Sequence, residues 1–195
     1  GKTTQIRKLA HNLEGQGISC TLTREPGGSP GAEALRTVLL SGDIRPFGPF
    51  AEAVVFAAAR SDHLAHTIRP ALAAGRWVLC DRFADSTRAY QGAVGNVDPS
   101  LLFTMENAVV GSTRPDLTII LDVPVAEGMR RVAARGDGLD RFESENLDYH
   151  ARLREAFIEI AKADPERCVL VEATMRVVAA SISVAQARLI LFTLG

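Results

Sequence analysis

The first residues of the chain are of the kind that binds phosphate at the start of a helix. Gly1-Lys2-Thr3-Thr4 matches the end of a G-x-x-x-x-G-K-[ST] motif and runs directly into a helical pattern. In this motif backbone N–H groups surround the phosphates of ATP, the lysine reaches the β- and γ-phosphates, and the hydroxyl binds Mg²⁺. Four residues alone are equally compatible with an ordinary capped helix start, so the rest of the chain must decide.

A second group of polar residues follows an apolar strand predicted at residues 76–80. The carboxylate of Asp81 can reach Mg²⁺ at a neighbouring phosphate loop, and the guanidinium of Arg82 can bind a phosphate through two parallel hydrogen bonds. A strand-end salt bridge is the alternative for this pair alone. The residues that follow favour the wall of a small-molecule pocket; they are Ser86, Thr87, Tyr90 and Gln91.

Two further patterns could bind a small anion or a planar ring. Arg24-Glu25-Pro26-Gly27-Gly28 follows another predicted strand, and Arg36 adds a positive charge one helix later. The two glycines allow the backbone to approach a ligand, although a plain solvated turn is the alternative. Phe56 and Arg60 lie one helical turn apart, so that a ring can stack on a base while a guanidinium binds its edge. Such a pair is more often a core ring beside a surface charge.

A basic segment interrupted by glycine lies between two predicted helices. Arg130, Arg131, Arg135 and Arg141 surround residues 136–140. Such a segment could close over ATP as a lid, excluding water and adding positive charge at the transferring phosphoryl group. A solvated loop, balanced by Glu143 and Glu145, is the alternative.

Helical and strand patterns alternate along the chain. The apolar spacing predicts helices at residues 3–15, 31–40, 50–74, 99–110, 125–135, 143–163 and 175–192, and strands at 18–23, 76–80, 117–121 and 169–171. Short apolar strands separated by helices are typical of a parallel sheet covered on both faces. In such α/β folds ligands bind beyond the carboxyl ends of the strands, where each motif above falls.

Composition limits the function classes. The chain has 195 residues, enough for a single domain with a large core, and a formal charge of −1, which gives no reason to expect a nucleic-acid polymer or an anionic membrane as partner. No apolar run is long enough for a membrane span. Three widely spaced cysteines, Cys20, Cys80 and Cys168, favour buried reduced thiols in a cytoplasmic protein. His63 and His66 lack a completing ligand set, which favours surface histidines over a metal site.

Taken together, the segments resemble bacterial thymidylate kinases over nearly the whole chain. The matching motifs are GKTT, TREPGG, FAAAR, DRFADSTRAYQG, RPDLTIILDV and LDRFE, in that order. TREPGG and the DR…S…AYQG pattern are the specific ones, whereas GKTT and RPDLT occur in wider groups of P-loop kinases. The resemblance implies a P-loop nucleoside-monophosphate-kinase fold with a short lid near residues 135–145, and transfer of a phosphoryl group from ATP to dTMP with Mg²⁺.

The resemblance also implies roles for individual residues. Lys2 would contact the transferring phosphate, with Gly1 and Thr4 completing the ATP loop, while Thr3 and Asp81 would hold the metal. Arg24, Arg36 and Arg82 would bind the acceptor phosphate. Phe56 would stack on thymine, Arg60 would read its O4, and Thr87 and Gln91 would contact its edge. Tyr90 would screen the sugar 2′ position, Glu25 would lie near the acceptor sugar or the metal, Arg135 near adenine, and Arg141 at the phosphates.

Three further expectations follow from the resemblance. The family suggests a homodimer, for which the apolar stretch at residues 51–59 is suitable. The central strand that precedes the phosphate loop in the family is absent, so we expect unpaired neighbouring strands and an unstable, inactive chain.

The remaining alternatives are another nucleoside-monophosphate or deoxynucleoside kinase of the same fold, and a non-catalytic nucleotide-binding relative.

Overall fold

The computed structural model describes residues 2–135, 141–173 and 188–194. Its strands are β1 (Cys20–Arg24), β2 (Trp77–Asp81), β3 (Leu117–Asp122), β4 (Cys168–Glu172) and β5 (Leu189–Leu194). Its helices are α1 (Lys2–Glu14), α2 (Pro30–Ser41), α3 (Gly48–His63), α4 (Arg69–Ala73), α5 (Ala84–Thr87), α6 (Pro99–Val110), α7 (Val125–Arg135) and α8 (Leu147–Ala163). A 3₁₀ turn spans Arg45–Phe47, and π-helical turns span Leu64–Ile68 and Arg88–Val94. None of the described helices is long and apolar enough to cross a membrane.

The strands form one parallel sheet in the order β1-β2-β5-β3-β4. Helices cover both faces, because successive strand residues point to opposite sides. Leu79 and Ile190 face the side on which α1 packs, with Ile6, Leu9 and Leu13 of that helix. The opposite side holds other residues of the same strands in two clusters, one with Leu64 and Ile68 and one with Phe157 of α8. The predicted α/β class, with a parallel sheet between helical layers, is therefore confirmed.

The central position of the sheet is occupied by β5. Val78 of β2 pairs with Leu189, and Leu117 of β3 pairs with Ile190. Two expectations are corrected by this strand. The predicted helix at residues 175–192 is wrong over 189–192, and the rest of it, residues 175–187, lies outside the described residues. The expected gap with unpaired neighbouring strands is also not observed, since β2 and β3 both find their partner in β5.

The helix that carries Phe56 and Arg60 continues well beyond them. α3, the π-helical turn Leu64–Ile68 and α4 follow one another without leaving helical geometry, with Leu64 at φ −61° and Arg69 at φ −60°. This agrees with the predicted helix at 50–74. The structure adds a helical segment that the sequence analysis treated only as a polar stretch, formed by α5 and the π-helical turn Arg88–Val94. It begins three residues after the end of β2.

Candidate active site

A cleft lies beyond the carboxyl ends of β1 and β2. Its cavity volume is about 140 Å³. Eight of the residues predicted to bind the acceptor border it: Glu25, Arg36, Phe56, Arg60, Arg82, Thr87, Tyr90 and Gln91. Arg24, the ninth, is not among the described residues that border the cleft. Its guanidinium binds the carboxylate of Glu33 at 2.9 Å instead.

Arg60 is the most constrained cation of the cleft. Its side chain is 4% exposed, and its Nε and Nη2 lie 2.9 and 2.8 Å from Oε2 of Glu25. Nη2 also donates to the hydroxyl of Thr87 at 3.2 Å, and the guanidinium carbon lies 5.0 Å from the ring centre of Phe83. A buried ion pair with hydrogen bonds on both partners fixes the orientation of the guanidinium group.

Arg82 occupies the end of β2 in an unusual backbone conformation. Its φ angle is 70°, in the left-handed region that residues with a side chain seldom adopt. The chain thereby turns sharply between β2 and α5, and the guanidinium carbon comes to lie 5.1 Å from the ring centre of Tyr90. Arg36 approaches from α2 and donates from Nη1 to the carbonyl of Pro26 at 2.7 Å. Two arginines from different elements therefore face one cavity.

Tyr90 stands at the centre of an aromatic cluster that links the cleft to α8. Its ring makes edge contacts with Phe142 at 5.3 Å, Phe157 at 6.3 Å and Tyr149 at 6.5 Å between ring centres. Burial raises the pKa of Tyr149, with the neighbouring Tyr90 as a second cause. The cluster fixes the turn Arg88–Val94 against α8, and so fixes one wall of the cleft.

Several residues that border the cleft were not predicted from the sequence, namely Phe83, Phe142, Glu143 and His150. Nε2 of His150 and Oγ of Ser86, another cleft residue, are buried and have no hydrogen-bond partner within the described part of the chain. A ligand with donor and acceptor groups can satisfy both atoms. The signal for His150 was weak, because a lone histidine near the start of a helix is common on protein surfaces.

Glu52 connects three parts of the cleft wall. It lies on α3 with a side chain 10% exposed, accepts from Nη2 of Arg141 at 2.5 Å, and accepts from Nε2 of Gln91 at 3.2 Å. The guanidinium carbon of Arg141 also lies 4.3 Å from the ring centre of Phe142. The later part of the predicted lid, at residues 141–142, is therefore anchored to the wall that carries Gln91. The lid residues 136–140 lie outside the described residues.

The predicted metal ligands lie together at the start of α1. The hydroxyl of Thr3 donates to Oδ2 of Asp81 at 3.1 Å. The other carboxylate oxygen, Oδ1, is buried without a hydrogen-bond partner among the described residues. A hydroxyl beside an unsatisfied carboxylate oxygen fits Mg²⁺, which is usually held by one or two protein oxygens together with phosphates and water. No group of three or more His, Cys, Asp or Glu side chains suited to a metal occurs in residues 2–135, 141–173 and 188–194.

The structure describes only some of the remaining residues that were predicted to bind ATP. Lys2 is half-buried at the first position of α1, and the exposed Thr4 follows on the same turn. Gly1 and the side chain of Arg135 lie outside what the structure describes, although Arg135 ends α7. The hydrogen bond from Thr3 to Asp81 places the N-terminus of α1 beside the end of β2, and the positive end of a helix dipole suits an anion.

The turn after β1 is held by Glu33. Its Oε1 accepts from the backbone N–H of Gly28 at 2.8 Å. This hydrogen bond, together with the charges of Arg24 and Arg36, lowers the pKa of Glu33. Gly28 has φ +88°, and a Cβ there would come 2.4 Å from Oγ1 of Thr23. The glycine is therefore required for the close packing of this turn.

The cysteines and the two histidines singled out in the sequence differ in how far they are buried. The expectation that both histidines lie on the surface is wrong for His63, which is fully buried, and agrees with His66, whose side chain is 63% exposed. Cys20, Cys80 and Cys168 are buried and free, as predicted. Burial raises the pKa of each thiol, to about 11 for Cys168, which keeps them in the protonated, unreactive form.

The chain has a parallel sheet, a helix that starts at the GKTT motif, the Asp81-Arg82 pair at the end of β2, and a cleft lined by arginines. Together these features define a P-loop nucleoside-monophosphate kinase. The family model of thymidylate kinase matches residues 1–182. A thymidylate kinase of Bradyrhizobium sp. (strain BTAi1) is 56% identical over 176 residues, which cover 89% of this chain and 78% of the relative. One from Rhodopseudomonas palustris (strain BisB18) is 54% identical over 180 residues, covering 91% and 78%. The chain belongs to the thymidylate kinase family.

A solved structure supports the same assignment. The crystal structure of thymidylate kinase from Ehrlichia chaffeensis superimposes with a TM-score of 0.71 at 34% sequence identity. The match covers 88% of this chain and 85% of that one. The two chains therefore share the fold.

Proposed function

We propose that this chain transfers the γ-phosphoryl group of ATP to dTMP and releases dTDP and ADP. The observation that carries the proposal is the composition of one cleft. The ring of Phe56 and the fixed guanidinium of Arg60 border the same cavity as Arg82, and the neighbouring residue Asp81 binds the hydroxyl of Thr3. A planar base and an acceptor phosphate thus find complementary groups beside the metal and donor site.

The base is recognised by the inner wall of the cleft. Phe56 stacks on thymine. Arg60 donates to O4 through Nη1, because its Nε and Nη2 are committed to Glu25. Thr87 and Gln91 contact the base edge, and Tyr90 screens the sugar 2′ position. We also propose that Glu25, which pairs with Arg60, supports base recognition rather than contacting the sugar or the metal.

The phosphates are bound by arginines and by the start of α1. Arg82 and Arg36 clamp the acceptor phosphate, and Arg24, which pairs with Glu33, supports the turn beside them. Lys2 binds the transferring phosphate, with Gly1 and Thr4 around the donor and Arg135 against adenine. Thr3 and Asp81 hold Mg²⁺, which when bound neutralises charge on the donor phosphates.

The reaction needs alignment more than proton transfer. An oxygen of the dTMP phosphate forms a bond to the γ-phosphorus while the bond to the β–γ bridging oxygen breaks, and ADP leaves with that oxygen. A phosphate monoester is already ionised near neutral pH, so no strong general base is required. The task of the protein is to align two polyanions and to neutralise the charge between them.

Arg141 is proposed to reach the phosphates when the lid closes. In the structure its Nη2 binds Glu52 at 2.5 Å, and its Nη1 is buried without a partner in the described residues. An arginine with one committed and one unsatisfied nitrogen can bridge the acceptor wall and a phosphate. This role connects closure of the lid to occupancy of the acceptor site.

We further propose a cytoplasmic homodimer. Three free, buried cysteines suit a reducing compartment. Phe47 ends the 3₁₀ turn before α3, and Phe50 and Val54 follow it on α3 at spacings of three and four residues. Their side chains are 73%, 46% and 43% exposed. A row of exposed apolar side chains on one helix face is typical of a protein–protein contact. A second copy of this chain is the proposed occupant.

The test is ADP release from ATP and Mg²⁺ with a panel of acceptors: dTMP, dUMP, dCMP, AMP and GMP. We expect a strong preference for dTMP. Phe56→Ala should raise KM for dTMP by about tenfold through loss of stacking, which is worth about 1–3 kcal/mol per base. Phe103→Ala, which removes an exposed ring outside the cleft, is the matched control and should have no effect.

The other outcomes separate the alternatives. Preference for a different acceptor would agree with kinase activity but would contradict the proposed base pocket. A folded chain that binds ATP but phosphorylates none of the acceptors would overturn the catalytic proposal and favour a nucleotide-binding relative.

A further inference from the structure

A buried chain of polar side chains lies behind Arg60. Oε2 of Glu25 binds the guanidinium of Arg60, and Oε1 of the same carboxylate lies 3.1 Å from Nδ1 of His63. Nε2 of His63 lies 2.6 Å from the hydroxyl of Thr23 on β1. Glu25 is 6% exposed, Arg60 3% and His63 fully buried. His63 does not border the cleft, so it cannot act by touching the substrate.

The two contacts of the imidazole select one of its two single-proton tautomers. In that tautomer Nδ1 of His63 donates to Oε1 of Glu25, because a carboxylate oxygen is the acceptor in such a contact. Nε2 is then the acceptor for the hydroxyl proton of Thr23. The opposite tautomer would direct a lone pair at the carboxylate.

This network fixes a carboxylate that could otherwise rotate. Arg60 binds only Oε2 of Glu25, which alone leaves the carboxylate free to turn about its last bond. The hydrogen bond from His63 holds the other oxygen, and Thr23 in turn holds the imidazole to β1. Through these hydrogen bonds, Thr23 on β1 helps to fix the orientation of the guanidinium plane of Arg60 on α3.

We propose that His63 is a positioning residue for the acceptor base: through Glu25, it sets the orientation of Arg60 and hence the affinity and selectivity of the base pocket. The inference rests on the proposed function, in which Arg60 reads the base edge. It predicts an effect on the acceptor that leaves ATP binding and phosphoryl transfer unchanged, because Thr3 and Asp81 are not part of the network.

The experiment compares His63→Leu, which removes both hydrogen bonds, with His63→Asn, whose amide N–H₂ can replace the donor to Glu25. For His63→Leu we expect KM for dTMP to rise about tenfold, equivalent to one hydrogen bond to a charged group, with kcat and KM for ATP changed less than twofold. The preference for dTMP over dCMP should fall as well. His63→Asn should restore most of both losses.

The matched control is His66→Leu, on the next turn of the same helix, with an exposed side chain; its kinetics should equal those of the starting protein. Thermal unfolding of each variant shows whether it is folded. If His63→Leu does not fold, Thr23→Val takes its place, since it removes only the hydrogen bond to Nε2 and keeps the side-chain shape. A smaller rise in KM for dTMP alone is then expected.

An unchanged KM for dTMP in folded His63→Leu or Thr23→Val would overturn the inference, as would an equal rise in His63→Leu and His63→Asn. The acceptor panel on the unsubstituted protein is measured first, and the variants are tested with its best acceptor. Failure of the dTMP assignment therefore appears in the unsubstituted protein, whereas failure of the positioning role appears only in the variants.

Discussion

Arg82 shows how a single residue joins backbone strain to ligand binding. Its left-handed backbone, at φ 70°, costs about 1–3 kcal/mol for a residue with a side chain. The strain directs the guanidinium into the cleft and onto the ring of Tyr90. A glycine would adopt this turn more easily but would supply no cation. The presence of arginine here is therefore explained by the proposed phosphate site.

We predict that Arg82→Ala lowers kcat/KM for dTMP by about 10²–10³, because it removes a charge placed where phosphate charge develops. Arg82→Lys should recover only part of the loss, since an ammonium group lacks the forked geometry of a guanidinium. Lys162→Ala, which removes an exposed cation on α8 outside the cleft, is the control. Steady-state kinetics check the prediction, and a loss below threefold in Arg82→Ala would contradict the clamp.

Asp81 gives a separate prediction for the metal. Asp81→Asn keeps the side-chain size and removes the charge beside Thr3. The Mg²⁺ concentration that gives half-maximal activity should rise by about tenfold, while KM for dTMP stays within twofold. Titration of activity with Mg²⁺ at saturating nucleotides measures it. Asp116→Asn, an exchange at an exposed aspartate that accepts from the backbone of β5, is the control. An unchanged Mg²⁺ requirement would exclude Asp81 from the metal site.

The sequence analysis identified most residues of the cleft, but it did not identify the side chains that hold them in position. Glu52, Phe56, Arg60 and His63 recur on one face of α3 at helical spacing, so the face itself was readable from the pattern. The partners of that face come from distant segments, such as Thr23 on β1 and Arg141 in the predicted lid segment. Such pairings depend on the tertiary fold, so spacing along the chain could not assign them.

At the scale of elements, the junction between β1 and α2 depends on an ionised carboxylate. Glu33 binds the backbone of Gly28, and this hydrogen bond, aided by Arg24 and Arg36, holds its pKa below the ordinary value of 4.5. A lowered carboxyl pKa stabilises the fold above pH 4.5, and the stabilisation is lost as the pH falls through the lower, folded-state value.

We therefore predict that Glu33→Gln lowers the melting temperature at pH 7, and that the difference from the unsubstituted protein shrinks progressively below about pH 4.5. Thermal unfolding between pH 3 and pH 7 measures it. Glu166→Gln, at an exposed residue away from this turn, controls for loss of one negative charge. A difference that stays constant across this range would show that the carboxylate does not act through its ionisation.

Most elements could be predicted because their apolar spacing was unambiguous. Helices at 99–110 and 125–135 agree with α6 and α7, and the four predicted strands agree with β1 to β4 within two residues at each end. The failure at β5 has a physical cause. Its sequence, LILFTL, is a short apolar run, and such runs fit a buried strand or a buried helix equally well. The pairing with β2 and β3 decides the outcome, and local sequence does not encode it.

At the scale of the whole molecule, the exposed apolar row on α3 predicts a dimer that a single charge can disrupt. Val54→Arg should convert the protein to a monomer, because a buried unpaired charge at a contact is costly. Light scattering coupled to size-exclusion chromatography measures the mass. Val38→Arg places the same charge at a valine of similar exposure on α2 and should leave the dimer intact. A monomeric unsubstituted protein, or a dimer that survives Val54→Arg, would contradict the proposed contact.

The central position of β5 has a consequence for the order of folding. β1 with β2, and β3 with β4, are pairs of strands consecutive in the chain, and β5 joins the two pairs from far along the sequence. Contacts at such long separation form slowly, because a long loop must close first. The two half-sheets should therefore form early and be joined late. Ile190→Ala, at a fully buried residue of β5, should then speed unfolding with little change in the refolding rate. The same truncation at Leu79 in β2, also fully buried, should instead slow refolding.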